Sequence, residues 1–359
     1  MFLFVDFPSW LHPEIIPGLP VRWYGLMYIV AFGVAFLLYR RQVAERRFPM
    51  TEDQLSGLFF WGIVALVLGA RVFATIVYET DIDLRDMYRR QPWLVFWPFV
   101  NGRFTGLMGM SYHGGVIGGI TAIFVYSAVK GFDCREIGDM CAGSIPLGYT
   151  FGRLGNFING ELYGRVTSSP LGMIFPHAES FPADLPWVKR IAESCGLDTG
   201  GAFVNLPRHP SQLYEMFFEG IVLWGIIWLL RNRKPFKGFL IGIYLAGYGL
   251  FRFFIEYFRE PDADLGYRIE LVKTDLPPSV FSSLFNFSTG QVFCFVMIVV
   301  GLAWIGIASR LPGREPVRIY PGPDEDQRKS DQKKSDQKRQ EQKHEERKNR
   351  RKLRKKLGK

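Results

Sequence analysis

Apolar runs long enough to cross a lipid bilayer recur along the first 310 residues, separated by short polar connections. Seven stand out, at about 23–39, 55–78, 114–129, 137–157, 216–230, 238–257 and 292–308. A helix of about 20 mainly apolar residues spans the hydrocarbon core, and somewhat shorter runs still qualify. Cationic residues gather in every second connection: Arg40, Arg41, Arg46 and Arg47; Lys130 and Arg135; Arg231, Arg233, Lys234 and Lys237; Arg310 and Arg314. The connections between, near 79–112, 159–215 and 259–289, mix both signs. Lys and Arg mark cytoplasmic loops. The pattern therefore predicts an all-α polytopic membrane protein with seven transmembrane helices, its N-terminus outside and its C-terminus cytoplasmic. The longest outer connection, about 161–212, is rich in Pro and Gly and predicts a small extracytoplasmic lobe. At its end "HPSQLYE" marks a helix start, with Ser211 as a candidate cap. The expected organisation is a membrane domain over 1–310 and a tail over 311–359.

Polar residues inside the runs are not scattered evenly. Arg71, Arg153 and Arg252 come late in runs that head outward, whereas Tyr24, His113, Gln212 and Glu215 come at the start of runs that head inward. All seven fall on the outer side, and Asp139 is the main exception in the inner halves. A charge at membrane depth costs several kcal/mol and usually faces a cavity or a partner. Arg252 and Glu256 are four apart on one helix, so an ordinary ion pair and a ligand-facing pair both account for them. The stretch "GRLGNFINGELYGR" at 152–165 is harder to explain by packing. Helix packing accounts for Gly152, Gly155, Gly160 and Gly164, but not for Arg153, Asn156 and Asn159 together. Arginine donates two parallel hydrogen bonds to phosphate and keeps its charge, so three arginines at headgroup depth point to an anionic lipid. His113, in "SYHGGVIGG", adds a side chain able to exchange a proton near neutral pH; a histidine bonded to backbone is the plainer reading.

Composition changes the picture in one respect. The chain of 359 residues is 48% hydrophobic and 16% aromatic, yet carries a net charge of +10. Residues 326–359 hold 16 Lys and Arg against 6 Asp and Glu, the whole of that surplus; the remainder has 28 of each sign. The basic character belongs to a low-complexity tail and gives no ground for a nucleic-acid partner. The tail is either a solvated appendage or a contact with anionic lipid of the inner leaflet. Cys134, Cys141, Cys195 and Cys294 have neither zinc nor disulfide-framework spacing. The N-terminus lacks a basic segment followed by an apolar core, so no cleavable signal peptide is expected. HExxH, GxSxG and P-loop motifs are absent, and the glycine runs follow no strand.

Five blocks, "RWYGLMY" at 22–28, "SYHGGVIGG" at 111–119, "GRLGNFINGELYGR" at 152–165, "LPRHPSQLYE" at 206–215 and "GYGLFRFFIEYFREPD" at 247–262, resemble in order the bacterial prolipoprotein diacylglyceryl transferase family. The resemblance implies transfer of the diacylglyceryl group of phosphatidylglycerol to the lipobox cysteine thiol of a prolipoprotein signal peptide, with release of glycerol 1-phosphate. It implies a multi-pass protein of the bacterial inner membrane, working at the outer leaflet without metal or nucleotide. Matched residue by residue, it implies catalytic roles for His113, Arg153, Arg252 and Glu256. Substrate-binding roles fall on Tyr24, Arg71, Tyr78, Asn156, Asn159, Glu161 and Gly164, with Asp139 a further functional position. On this reading Arg153 and Arg252 hold the phosphate, Asn156 and Asn159 orient the headgroup, and Glu256 orients Arg252. His113 is either the base for the thiol or a holder of a headgroup hydroxyl. Three stretches depart from the family pattern: the approach to His113 lacks an acidic residue and is longer, 265–287 is longer, and the basic tail is additional. A lipid or solute transporter would also place arginines in a cavity, but usually at the midplane between internal repeats. A scaffold acting through its tail leaves the outer polar cluster unexplained.

Overall fold

Capping residues set where the long helices begin. The computed structural model describes residues 4–16, 18, 21–97, 99–100, 103–104, 109–260 and 267–312. Helix α1 (Trp23–Arg46) is followed by α2 (Glu52–Val72), which opens on a capping box between Thr51 and Gln54 and widens into a π-helical turn at Phe73–Val77. A short α3 (Ile82–Arg90) leads to α4 (Tyr112–Lys130), capped by the Ser111 hydroxyl and stopped by Gly131 at a φ of 73°. Next come α5 (Cys134–Ala142), α6 (Ile145–Ile158) and α7 (Pro186–Cys195). Helix α8 (Ser211–Glu215) runs through a π-helical segment, Met216–Val222, into α9 (Leu223–Leu230). Then follow α10 (Phe239–Ile255) and α11 (Thr289–Ala308), the latter opened by a second capping box, Ser288 with Gln291.

Five helical stretches are long and apolar enough to cross a membrane: Trp23–Arg46, Glu52–Val77, Tyr112–Lys130, Ser211–Leu230 and Thr289–Ala308; α10 is a shorter apolar helix of 17 residues. Apolar side chains such as Ile29, Val129 and Leu229 point outward, as lipid-facing positions do. The molecule is thus a mostly helical polytopic membrane protein. The expected single run over 137–157 is instead two helices, α5 and α6, parted at Gly143 and Ser144. Pro146 is the cause: it has no N–H for the Ala142 carbonyl, and its ring crowds the preceding turn. Ser144 compensates by donating its hydroxyl to the Met140 carbonyl at 2.8 Å.

Small residues let the helices approach closely. A Cβ on Gly69 would strike the Gly114 carbonyl and one on Gly118 the Ala65 carbonyl, so α2 and α4 touch backbone to backbone. Gly242, Gly249 and Gly301 do the same for α10 and α11. Helix α6 packs against α1 where Gly148 meets Ala31 and Gly155 meets Tyr24, and against the π-helical segment where Gly220 meets Thr150.

The residues between α6 and α8 form a small lobe built from two-residue strand pairs and α7. Val5–Asp6 runs parallel to Met173–Ile174, and Phe181–Pro182 antiparallel to Phe203–Val204. Its core gathers Val166, Ala183, Val188, Ala192, Val204 and Leu206, with Val280 arriving from the stretch before α11. That stretch also pairs Tyr267–Glu270 with Asn286–Ser288, so the described part of 265–287 is a hairpin lying on the lobe. The chain divides into two units, Met1–Arg40 with Met50–Val317 and Arg41–Pro49 with Arg318–Lys359. Of the second, residues 41–49 are described, and there Arg41 pairs with Glu45 at 2.8 Å. The basic tail from 313 and half of the approach to His113, 101–102 and 105–108, lie outside the described residues.

Candidate functional site

Two arginines from different helices converge on one carboxylate. Arg153 of α6 reaches Glu215 Oε2 through Nε at 2.8 Å, and Arg252 of α10 reaches the same oxygen through Nη1 at 2.6 Å. Glu215 ends α8 and is fully buried; Glu219, four residues on in the π-helical segment, is buried beside it. Arg252 also lies 3.7 Å from Glu219 Oε1 and 3.3 Å from Glu256 Oε2. Tyr149 completes the cluster. Its hydroxyl accepts from Arg153 Nε at 2.6 Å and donates to Glu219 Oε2 at 2.6 Å, while its ring lies 5.0 Å from the Arg153 guanidinium. Glu256 is held in turn by the Ser288 hydroxyl at 3.1 Å, with Arg259 at 3.9 Å.

A polar collar continues from Arg153. Its Nη1 donates to Asn156 Oδ1 at 3.3 Å; Asn156 and Asn159 both donate to Glu161 Oε1, at 3.0 and 3.2 Å. The turn that brings Glu161 back is tight, with Gly160 at a φ of 65° and Leu162 at 56°. Gln212 of α8 fixes it by donating to the Glu161 carbonyl at 2.7 Å. Tyr24 of α1 lies against Gly155, its hydroxyl 3.0 Å from that of Tyr28. Beyond Glu161 and Asn159 a cleft of about 460 Å³ opens, lined also by His12, Pro13, Glu14 and Arg22.

The structure does not bring every expected residue into this network. Tyr78 and His113 form their own pair, hydroxyl to Nδ1 at 2.8 Å, and among the described residues no hydrogen bond or ion pair joins them to the arginines. Arg71 donates to the carbonyls of Val95 (2.5 Å) and Gly109 (3.1 Å), bracing the end of α2 against the segment before α4. Gly164 is closely packed: a Cβ there would strike the Phe258 carbonyl, and its N–H donates to the His209 carbonyl at 2.7 Å. Asp139 caps α10, accepting from the N–H groups of Gly238 and Leu240 at 2.9 Å each and of Ile241 at 3.2 Å, with Lys234 Nζ at 2.9 Å. Asp139 meets the start of α10 and Arg252 belongs to its last turn, about 20 Å further along the axis.

Glu219, Tyr149 and the bridging role of Glu215 went unrecognised in the sequence. A signal was present: Glu215 and Glu219 stand four apart inside an apolar run, and two acids on one face of a membrane helix need partners. Two further buried arginines, Arg165 and Arg208, build the lobe instead. Arg208 pairs with Glu260 at 2.7 Å between the rings of Tyr163 and Phe181, and Arg165 bonds Tyr267 and the carbonyl of Arg259.

A polytopic helical membrane protein with a buried arginine–carboxylate cluster, edged by amides and a cleft, has the make-up of a membrane-embedded enzyme. The chain belongs to the prolipoprotein diacylglyceryl transferase family, whose model matches residues 13–307. It is similar to the phosphatidylglycerol–prolipoprotein diacylglyceryl transferase of Treponema denticola, 53% identical over 322 residues that cover 84% of this chain and 94% of that relative. The Treponema pallidum protein of the same name is 48% identical over 332 residues, covering 88% and 98%. That of Borrelia garinii is 39% identical over 322 residues, covering 87% and 96%.

Proposed function

We propose that this chain transfers the diacylglyceryl group of phosphatidylglycerol to the lipobox cysteine thiol of prolipoproteins, releasing glycerol 1-phosphate, the first step of lipoprotein maturation. The observation that carries the reading is the convergence of Arg153 and Arg252 from two helices on one oxygen, beside Asn156, Asn159 and Glu161. The thiol sulfur bonds to the glyceryl carbon that bears the phosphate. The C–O bond breaks, its electron pair leaves on the phosphate oxygen, and the thiol proton passes to a base. A phosphodiester with one negative charge becomes a monoester that gains a second, and fixed guanidinium groups stabilise that developing charge. Arg153 and Arg252 supply it, Glu256 orients Arg252, and the amides hold the glycerol headgroup. Tyr78 engages Nδ1 of His113, so Nε2 is the nitrogen left to face a substrate. If Nδ1 carries the proton, Nε2 is the basic atom for the thiol; in the other tautomer it donates to a headgroup hydroxyl.

In this reading seven spans place the N-terminus and the lobe outside the inner membrane and the tail in the cytoplasm. Its support is the run of basic connections and the gathering of the arginine cluster at the lobe end of α6 and α10. The test uses purified protein, phosphatidylglycerol and a synthetic lipobox peptide, with mass spectrometry of the peptide cysteine. A diacylglyceryl adduct is expected. Arg153→Lys, which keeps the charge and loses the fork, should slow turnover about 100-fold. His113→Gln should flatten the rise of rate with pH near neutrality if the imidazole is the base; a normal profile assigns His113 to the headgroup. No adduct, with lipid still bound, would replace the transferase reading by lipid binding or transport.

A further inference from the structure

The bridge at Glu215 is an unusual ion pair. A carboxylate serving one arginine typically accepts two parallel N–H bonds, one on each oxygen. Here a single oxygen, Oε2, lies within ion-pair distance of both Arg153 and Arg252 and accepts from the Tyr149 hydroxyl at 3.3 Å, while the buried Oε1 has no hydrogen-bond partner among the described residues. One oxygen between two guanidinium groups is the arrangement a non-bridging phosphate oxygen adopts. Charge count points the same way. Arg153, Arg252 and Arg259 face Glu215, Glu219 and Glu256, so with all six ionised an incoming monoanion meets no surplus positive charge. One carboxylate must give way. Glu256 is tied to Ser288, and Glu219 to Tyr149, and each faces only Arg252 of the two converging arginines. Glu215 alone releases both of them at once. The π-helical turn that begins at Met216 gives the chain next to it a wider, more adaptable geometry.

We infer that Glu215 is a resident counter-ion which holds Arg153 and Arg252 at the spacing of a phosphodiester oxygen and yields that place to the lipid phosphate. It is a positioning residue, not one that touches the reacting atoms. The identity of the anion rests on the transferase reading; the displacement rests on the bridge itself.

The test measures phosphatidylglycerol binding to full-length protein in phosphatidylcholine nanodiscs, by displacement of a fluorescent phosphatidylglycerol, beside KM and kcat in the peptide assay. Glu215→Gln keeps the shape and removes the charge. Binding should tighten and KM fall, each about fivefold. A residue that merely supports the fold would weaken binding and turnover together, and weaker or unchanged binding overturns the inference. If the Gln variant does not fold, Glu215→Asp decides. It withdraws the carboxylate by one methylene, so tighter lipid binding supports the inference and equal or weaker binding overturns it. Binding is read without turnover. A wild-type protein that binds the lipid but forms no adduct therefore sinks the transferase reading and leaves this test standing.

Discussion

Burial lowers the His209 imidazole from its ordinary 6.5 to about 4, so the ring is neutral throughout the physiological range. Its Nδ1 lies 3.3 Å from the Tyr214 hydroxyl, and its backbone holds Gly164 in place. Between pH 6.5 and 4 the unfolded chain binds a proton here that the folded chain refuses. Stability contributed by this group is therefore fully present above 6.5 and lost as pH falls toward 4. The melting midpoint should drop across that window, and His209→Gln should remove part of the drop; an unchanged slope would discount the buried ring. Gly164 and Asp139 show what reading single residues leaves open. Glycine in a motif signals close approach, and an acid at membrane depth signals a partner, but neither says whether the neighbour is substrate or backbone. The structure sets Gly164 against the Phe258 carbonyl and Asp139 against the start of α10.

Among elements, the long apolar helices were legible because lipid selects for apolar faces over their whole length. The break between α5 and α6 was not, since a proline in an apolar run leaves hydropathy nearly unchanged while removing a backbone donor. The lobe was expected over 161–212, but its strands escaped for another reason: they are two residues long, too short for an alternating pattern to register. Within the candidate site, blocks of sequence singled out Arg153, Asn156, Asn159, Glu161, Arg252 and Glu256, and the structure joins them through Glu215 into one network. Glu219 and Tyr149 were not, because their meaning depends on which helices face each other. The opposite end of α10 makes a separate prediction. Asp139→Asn removes a charge from the helix N-terminus and from Lys234, which is left with Glu136 at 2.5 Å. Thermal stability should fall by about 2–3 kcal/mol. Activity per folded molecule should hold, since the arginine cluster lies at the far end; a proportional loss of kcat with no change in stability would instead place Asp139 in the chemistry.

For the whole molecule, the hairpin at 267–288 and the N-terminal strand Val5–Asp6 show segments distant in sequence closing over one lobe, with Val280 in its core and Tyr267 on the buried Arg165. The stretch that looked merely long is thus part of the scaffold behind the site. The short helices have a consequence for the bilayer. Helix α6 has 14 residues and α10 has 17, about 21 and 26 Å of rise, whereas a hydrocarbon core is about 30 Å thick. On the seven-span reading, the two helices that carry the arginines are shorter than the hydrocarbon core, and the bilayer would have to thin to meet them. A bilayer that is already thin spares that deformation. With phosphatidylglycerol held at a fixed fraction, turnover should be higher in short-chain than in long-chain phosphatidylcholine. Membrane thickness would then act as a control on this protein from outside it, with no ligand involved.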